Sequence, residues 1–417
     1  MTIPANFLQN VQTYQSGDLA SLQNQGCFIG TANTKFKDFQ KLTANLGTTV
    51  TYDLPYRFTT TNSLVASFQS ITQRVHTLTV DQPISTSIVA TAEQLVFNLE
   101  DYMDKIGDGA VKEIGTKIEA NVARLAETVP FRYFGDGTTP INSFGQLGQI
   151  MADFRDFGAA KGSQRGYLPL VNVPSIINSG LNQFVPNRNE KLANSWQLGS
   201  YNDTDWYSSN LLPIHFAGNV GNDGTTLTVV STNDPTGNNI TQITFSGATA
   251  SDQDAIKAFD NFTFQDGVLG KPNIRFLTFV GHEVCSQSVQ IKATVNVAAS
   301  SGGLVAIDIS PPLSSNPGTP VFNLSTNIVA GMQVKGVPDH RCGLITSGNA
   351  LFLAMPQLPD TSPFISHSEA DEDTGVSMRV YYGHVFGQNQ YGLIHDAIWG
   401  KDLVEEYSMK VIFPLIN

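Results

Sequence analysis

Over residues 48–58 apolar and aromatic side chains fall on every second position: Val50, Tyr52, Leu54, Tyr56 and Phe58. A period of two is the signature of a strand with one face turned to a packing partner. Pro55 lacks an amide hydrogen and places the strand at an edge or a bulge. A polar tip, Thr59 to Ser63, is followed by a second run from Leu64 to Val80 that carries Val65, Phe68, Ile71, Val75 and Leu78 among Thr, Ser and Gln. The pattern predicts a long two-stranded ribbon. Arg57 and Arg74 are its only long basic side chains. A hairpin by itself is marginally stable in water, so the ribbon is expected to lie on a neighbouring copy of the chain.

The period then changes. Leu99, Met103, Ile106, Ala110, Ile114, Ile118, Val122 and Leu125 recur at three- and four-residue steps, an apolar stripe along a helix from about 98 to 128. Gly107 and Gly109 flank Asp108, and each glycine costs about 1 kcal/mol relative to Ala inside a helix, so a break is expected there. Pro130 ends the helix. A second helix over 144–159 shows Leu147, Ile150, Met151, Phe154 and Phe157 on one face. Tyr167 to Val171 reads as a short buried strand, and a helix with Pro174 in its first turn follows.

From about Ala217 glycines punctuate short alternating runs: Thr226–Val230, Gln242–Phe245, Phe262–Phe264, Arg275–Val280, Val289–Ile291 and Val305–Ile309. Short strands separated by turn signals predict a small barrel or sandwich. Near Gln333 α/β character is expected to return, which makes the β region an insert whose ends must lie close together.

Composition shifts the question from catalysis towards assembly. Charged residues make up 14% of the 417-residue chain, against roughly 25% in an ordinary globular domain. A net charge of −12 opposes a nucleic-acid-binding role, which needs clustered Lys and Arg. It suits a container whose inner wall does not stick to its contents. Cys27, Cys285 and Cys342 are three and far apart, so neither a disulfide framework nor a paired metal site is expected. The N-terminus has no basic and apolar export signature, and no run of about 18 apolar residues spans a membrane.

Chemical motifs are sparse. His282-Glu283-Val284-Cys285 and His340-Arg341-Cys342 lack the second ligand pair of a tetrahedral site. Gly135-Asp136-Gly137 is not a dinucleotide fingerprint and reads as a turn. Glu369 to Asp373 reads as a solvated acidic loop. No catalytic residue, cofactor site or metal site is assigned. Asp203 and Asp205 beside Trp206 form the best carboxylate pair for a glycan-active enzyme, though a solvated loop next to a buried Trp explains them better.

Leu46-Gly47-Thr48-Thr49-Val50-Thr51-Tyr52-Asp53-Leu54-Pro55-Tyr56-Arg57-Phe58 resembles the start of the extended loop in major capsid proteins of tailed phages. Glu93-Gln94-Leu95 and Leu99-Glu100-Asp101-Tyr102 resemble the start of the spine helix in that family. Phe262 to Val268 and Ile307 to Leu313 resemble barrel strands in coats of the P-twenty-two-like podovirus type, which carry an insertion domain. The resemblance implies an α+β chain with the tailed-phage and herpesvirus major capsid fold: an N-terminal arm (1–42), an extended β-hairpin loop (43–90), a spine helix and peripheral region (91–140), an axial α/β domain (141–216), an inserted β-barrel-like domain (217–332) and a closing axial and peripheral part (333–417).

The same resemblance implies a structural protein of the virion. It would be made in the bacterial cytoplasm and assemble as hexamers and pentamers with a scaffolding protein, a portal and an optional decoration protein. The shell would enclose double-stranded DNA without sequence-specific contact and without a membrane. Tyr52, Tyr56, Arg57, Phe58, Phe68 and Arg74 are the candidate contacts between copies; Lys35, Lys37 and Lys41 are candidates to face the scaffold or interior. Some relatives crosslink through a loop lysine, but residues 48–90 contain no Lys, so non-covalent contacts are expected. The rival readings are a tail-tube or fibre protein, which repeats would favour and the chain lacks, and the glycan-active enzyme.

Overall fold

A computed structural model of the chain describes residues 26–34, 48–54, 58, 68, 73–91, 109–158, 163–178, 197–279, 281–319, 321–348, 350–359, 365–370, 376–385 and 390–415. Lys35, Lys37, Lys41, Tyr56, Arg57, the helix start at 98–108 and the acidic residues 371–373 lie outside them.

Strands β1 (Thr49–Leu54) and β2 (Arg74–Thr79) pair antiparallel, Thr49 opposite Thr79 and Leu54 opposite Arg74. A two-residue link, Val80 and Asp81, leads into β3 (Gln82–Thr91). The part described also packs within its own chain. Leu78 and Val80 are buried in the chain's own core. All ten residues of β3 pair antiparallel within the chain, with β21 (Gln390–Leu403).

Helix α1 covers 109–123 and, after a one-residue turn at Arg124, α2 (Leu125–Thr128) continues it. Ala110, Ile114, Ile118, Val122 and Leu125 are buried at helical spacing, as the stripe predicts, and Val111 is buried beside them. After β4 (Tyr133–Phe134), helix α3 (Phe144–Asp156) starts at a capping box: Ser143 Oγ accepts from the Gln146 amide, and Gln146 Oε1 accepts from the Ser143 amide. Leu147, Ile150, Met151 and Phe154 form its buried face.

Strands β5 (Gln164–Pro169), β6 (Gln197–Tyr201), β7 (Thr204–Ser209), β8 (Ile214–His215), β17 (His340–Ser347) and β22 (Ser408–Pro414) join β4 in a seven-stranded sheet. Its order is β4-β22-β17-β5-β7-β6, with β8 also on β17. β17 is central and almost wholly buried.

The chain leaves this sheet after β8 and returns at β17, where His215 pairs with His340. Between them six strands close a barrel: β9 (Thr226–Thr232), β10 (Ile240–Ser246), β15 (Leu304–Leu313), β14 (Gln290–Ala293), β11 (Asn261–Phe264) and β16 (Gln333–Gly336), which pairs back to β9. The small pair β12 (Arg275–Leu277) and β13 (Val284–Ser288) stands beside it. Leu227, Val229, Ile243, Phe245, Phe262, Ile291, Ile307 and Val334 fill a core cluster that Phe131 and Phe157 of the body join, while most of the body packs in clusters of its own. The barrel closes only with β16, so it reaches 336 rather than the expected 332.

The return of α/β character after 333 is corrected. Among the described residues that part is strands: β17, β18 (Leu351–Ala354), β19 (Ile365–Ala370), β20 (Ser377–Val385), β21 and β22, plus the single 3-10 turn Glu405–Tyr407. Leu393, His395, Ala397 and Trp399 are buried at every second position of β21. That is a strand period.

Candidate assembly surface

The ribbon is anchored at its base. Tyr52 packs at a tilt on Phe352, with 4.3 Å between ring centroids, and its hydroxyl donates to Asp402 Oδ2 at 2.9 Å. His76 Nδ1 lies 2.5 Å from the same carboxylate oxygen. Arg74 forms an ion pair with Glu406. A methyl group on Gly400 would collide with the Thr79 carbonyl, so β21 and the end of β2 meet at backbone distance. Tyr52 and Arg74, expected at a contact between copies, thus hold the ribbon to its own chain. Phe58 is 58% and Phe68 96% exposed. Two described aromatics of the ribbon therefore stand in solvent beyond a fixed base. The Phe58 carbonyl accepts a hydrogen bond from His282 of the barrel side at 3.3 Å.

The hydrogen bond to Asp402 raises the His76 pKa above its usual 6.5; burial opposes it, and the charges of Asp402, Glu405 and Glu406 add to it. A raised histidine stabilises the closed base fully below the ordinary value and loses that contribution as pH rises through the raised one. Hydrogen exchange of the β1 amides, corrected for intrinsic rates, is expected to quicken on the alkaline side of about pH 6.5. Asp402→Asn is expected to flatten the profile, and an unchanged profile in that variant would refute the assignment.

The alternative catalytic pair is not built as a site. Asp203 sits at positive φ in a tight turn with its side chain 89% exposed, 3.8 Å from Arg155. Asp205 accepts from Ser200, and Trp206 is buried. A cleft of about 520 Å³ lies elsewhere, between the barrel and β4, lined by Tyr133, Asp136, Thr263, Gln287, Gln290 and Lys335 among others. Asp136 accepts from the Thr138 and Thr139 amides, closing the Gly135–Gly137 turn. Against the effect of burial, those bonds bring its pKa down to about 2. No group of three or more His, Cys, Asp or Glu among the described residues could hold a metal. The three cysteines are free and buried, and no described helix is long and apolar enough to cross a membrane.

Two features escaped the sequence reading. Glu119 lies within the apolar stripe of α1 and accepts from the Phe28 and Ile29 amides at 2.7 and 3.0 Å. A Cβ on Gly26 would strike its carboxylate, so segment 26–34 is pressed against it. Phe28 stacks on Tyr167 at 4.2 Å, and the Asn33 amide donates to Leu351 O. The second is a buried set of charges between barrel and body that includes Lys410. For Lys410 the signal was a lone charge inside an apolar run, Met409-Lys410-Val411-Ile412, whereas Glu119, two positions from Lys117, gave no such signal.

No family model and no curated protein matches the sequence. Solved structures do align along most of it. One from Mycobacterium phage Che8 has a TM-score of 0.43 at 8% identity and covers 93% of this chain and 90% of that one. A capsid structure of Ralstonia phage GP4 has 0.43 at 8%, covering 92% and 87%. The cyanophage Pam1 capsid asymmetric unit has 0.42 at 8%, covering 91% and 87%.

Proposed function

We propose that this chain is the major capsid protein of a tailed bacteriophage, which assembles with copies of itself into an icosahedral shell around packaged double-stranded DNA. The observation that carries the reading is the ribbon, clamped at its base by Tyr52, His76, Arg74 and Asp402 while Phe58 and Phe68 remain in solvent. An exposed aromatic on a pre-positioned element is what an obligate contact between copies buries. The low charge content supports large protein contacts, and the net charge of −12 supports an inner wall that does not bind DNA tightly. Its role is structural rather than enzymatic. Scaffold, portal and decoration proteins are the implied partners, hexamers and pentamers the implied assemblies, and the virion the implied place. In such a shell Lys35, Lys37 and Lys41 face the scaffold or interior, and Tyr56 and Arg57 join Phe58 and Phe68 at the contact.

The test is electron microscopy of the protein expressed alone and with a candidate scaffold. Closed shells of uniform diameter, or shells with spirals when scaffold is absent, are expected. They should run as single bands on a denaturing gel, because residues 48–90 lack lysine. Phe68→Ser, at an exposed position, is expected to abolish shells and leave the circular dichroism spectrum unchanged. Tubes would move the reading to a tail protein, and a monodisperse monomer under both conditions would end it.

A further inference from the structure

The barrel meets the body across a junction rich in buried polar groups. Two chain segments cross it side by side, 216–218 outward and 337–339 back. They are tied together: the Ala217 amide donates to Asp339 Oδ1 at 2.7 Å, and the Asp339 amide to Asn222 Oδ1 at 2.9 Å. Beyond them, Gln290 of the barrel exchanges two hydrogen bonds with the backbone of Tyr133, each 2.8 Å. Lys292 donates to the Thr128 and Val129 carbonyls and pairs with Glu405 at 3.3 Å. Ser310 donates to the same Glu405 at 2.7 Å. Phe131 and Phe157 of the body also pack on Phe276 beside the barrel, at 5.5 and 5.4 Å between ring centroids, so the contact is mixed and its polar part is the part that protonation can loosen.

At the centre lies His215. Its Nδ1 is 2.9 Å from Glu127 on α2, and its Nε2 is 2.8 Å from Asp260 at the foot of β11. Both neighbours are carboxylates, so the ring satisfies both only when both nitrogens carry hydrogen. Asp260 also accepts from the Gly218 and Lys257 amides, and so holds the outward segment. The ring of His340 is 5.1 Å from that of His215. Its Nδ1 donates to Pro338 O at 2.7 Å, while its buried Nε2 has no hydrogen-bond partner among the described residues. Lys410, fully buried on β22, donates to Asn261 Oδ1 of the barrel at 2.7 Å. Lys257, Lys292, Asp339, Cys342 and Glu405 are the other ionisable groups around the junction.

We propose that Glu127, His215, Asp260, His340 and Lys410 form a proton-set latch that fixes the barrel on the body, closed most firmly near the ordinary imidazole titration point and loosened on either side of it. The two histidines act in opposite directions. Burial opposes charge on His215, but the hydrogen bonds to Asp260 and Glu127 outweigh it and raise its pKa. Burial, then the charge of Lys410, lowers the pKa of His340 well below its usual value despite the bond to Pro338. In the open junction both rings titrate near about 6.5. The His215 contribution is therefore present below that point and is lost as pH rises through its raised value. The His340 contribution is present above that point and is lost as pH falls towards its lowered value. Loss at high pH leaves two carboxylates facing a ring with one proton; loss at low pH places a third cation beside Lys410 and His215.

Hydrogen exchange followed by mass spectrometry on the full-length protein, with rates corrected for the intrinsic effect of pH, tests the latch. Peptides holding the amides of Tyr133, Ala217, Gly218 and Lys257 report on the junction. Ladders within β10 and the β5–β7 pair are the controls. Exchange at the junction is expected to be slowest near pH 6.5 and to rise on both sides, by up to about tenfold per pH unit for each linked proton, while the control ladders stay protected. His215→Gln is expected to remove the alkaline rise and His340→Gln the acid rise. A flat junction profile, or junction and control peptides that open together, overturns the proposal from the wild-type measurement alone. The readout does not depend on shell formation.

Discussion

Phe262→Ala is expected to unfold the barrel ahead of the body. Phe262 is 1% exposed in β11 and packs against the backbone of Gly336, where an added Cβ would lie 3.1 Å from its ring. Removing a buried Phe side chain deletes its transfer free energy and leaves a cavity, at a cost of about 3–5 kcal/mol. Phe131 and Phe157 of the body join the barrel's core cluster, but the rest of the body has a cluster of its own, so the loss falls mainly on the barrel. The three tryptophans, Trp196, Trp206 and Trp399, all lie outside residues 226–336. Barrel unfolding is therefore expected in far-ultraviolet circular dichroism at lower urea than in tryptophan fluorescence. Coincident transitions in the variant would show that barrel and body unfold as one unit.

Glu119→Ala is expected to release segment 26–34. The carboxylate is buried and accepts two backbone amides, those of Phe28 and Ile29. Burial raises its pKa, and the same amide bonds work in the opposite direction. Each hydrogen bond to a charged group contributes about 1.5–3 kcal/mol, and the amides left without an acceptor add a desolvation cost, so a destabilisation of at least about 3 kcal/mol is expected. Cys27, adjacent to Phe28, is 5% exposed, and burial together with Glu119 holds its thiol well above the usual range. In the parent protein it should resist a thiol reagent under native conditions. In the variant it should react quickly, while Cys342, 0% exposed in the sheet, stays protected. Equal reactivity of Cys27 in both proteins would mean that Glu119 does not hold the segment.

The α3 helix was legible because its capping box and its stripe of Leu147, Ile150, Met151 and Phe154 are local signals, and nothing in the fold overrides them. The barrel was legible for the same reason, since alternation and glycine turns set each strand independently. Its last strand was misplaced. Gln333–Gly336 shows no long alternation and is held by pairing with β9 and β11, far away in the chain. The strands after 340 were misread because β17 and β22 are buried on both faces and so lack the apolar–polar alternation that marks a half-buried strand.

The contact residues divided along the same line. Tyr52 and Phe58 sit on one alternating face of the ribbon and are equivalent in sequence. The fold turns Tyr52 onto Phe352 and Asp402, whereas Phe58 stays largely in solvent.

The sequence by itself determined element type wherever period and caps are local: the ribbon base, the 109–128 helical stripe, α3 and the short barrel strands. It also determined the low charge and the absence of lysine from residues 48–90. Tertiary structure alone decided which charges meet. Glu119 finds amides 90 and 91 residues away, His215 joins Glu127 to Asp260, and Lys410 reaches Asn261 across 149 residues. Those pairings follow from the folded path that returns the chain to β17 beside β8. A buried charge is tolerated only where such a path delivers its partner, and no local pattern encodes that delivery.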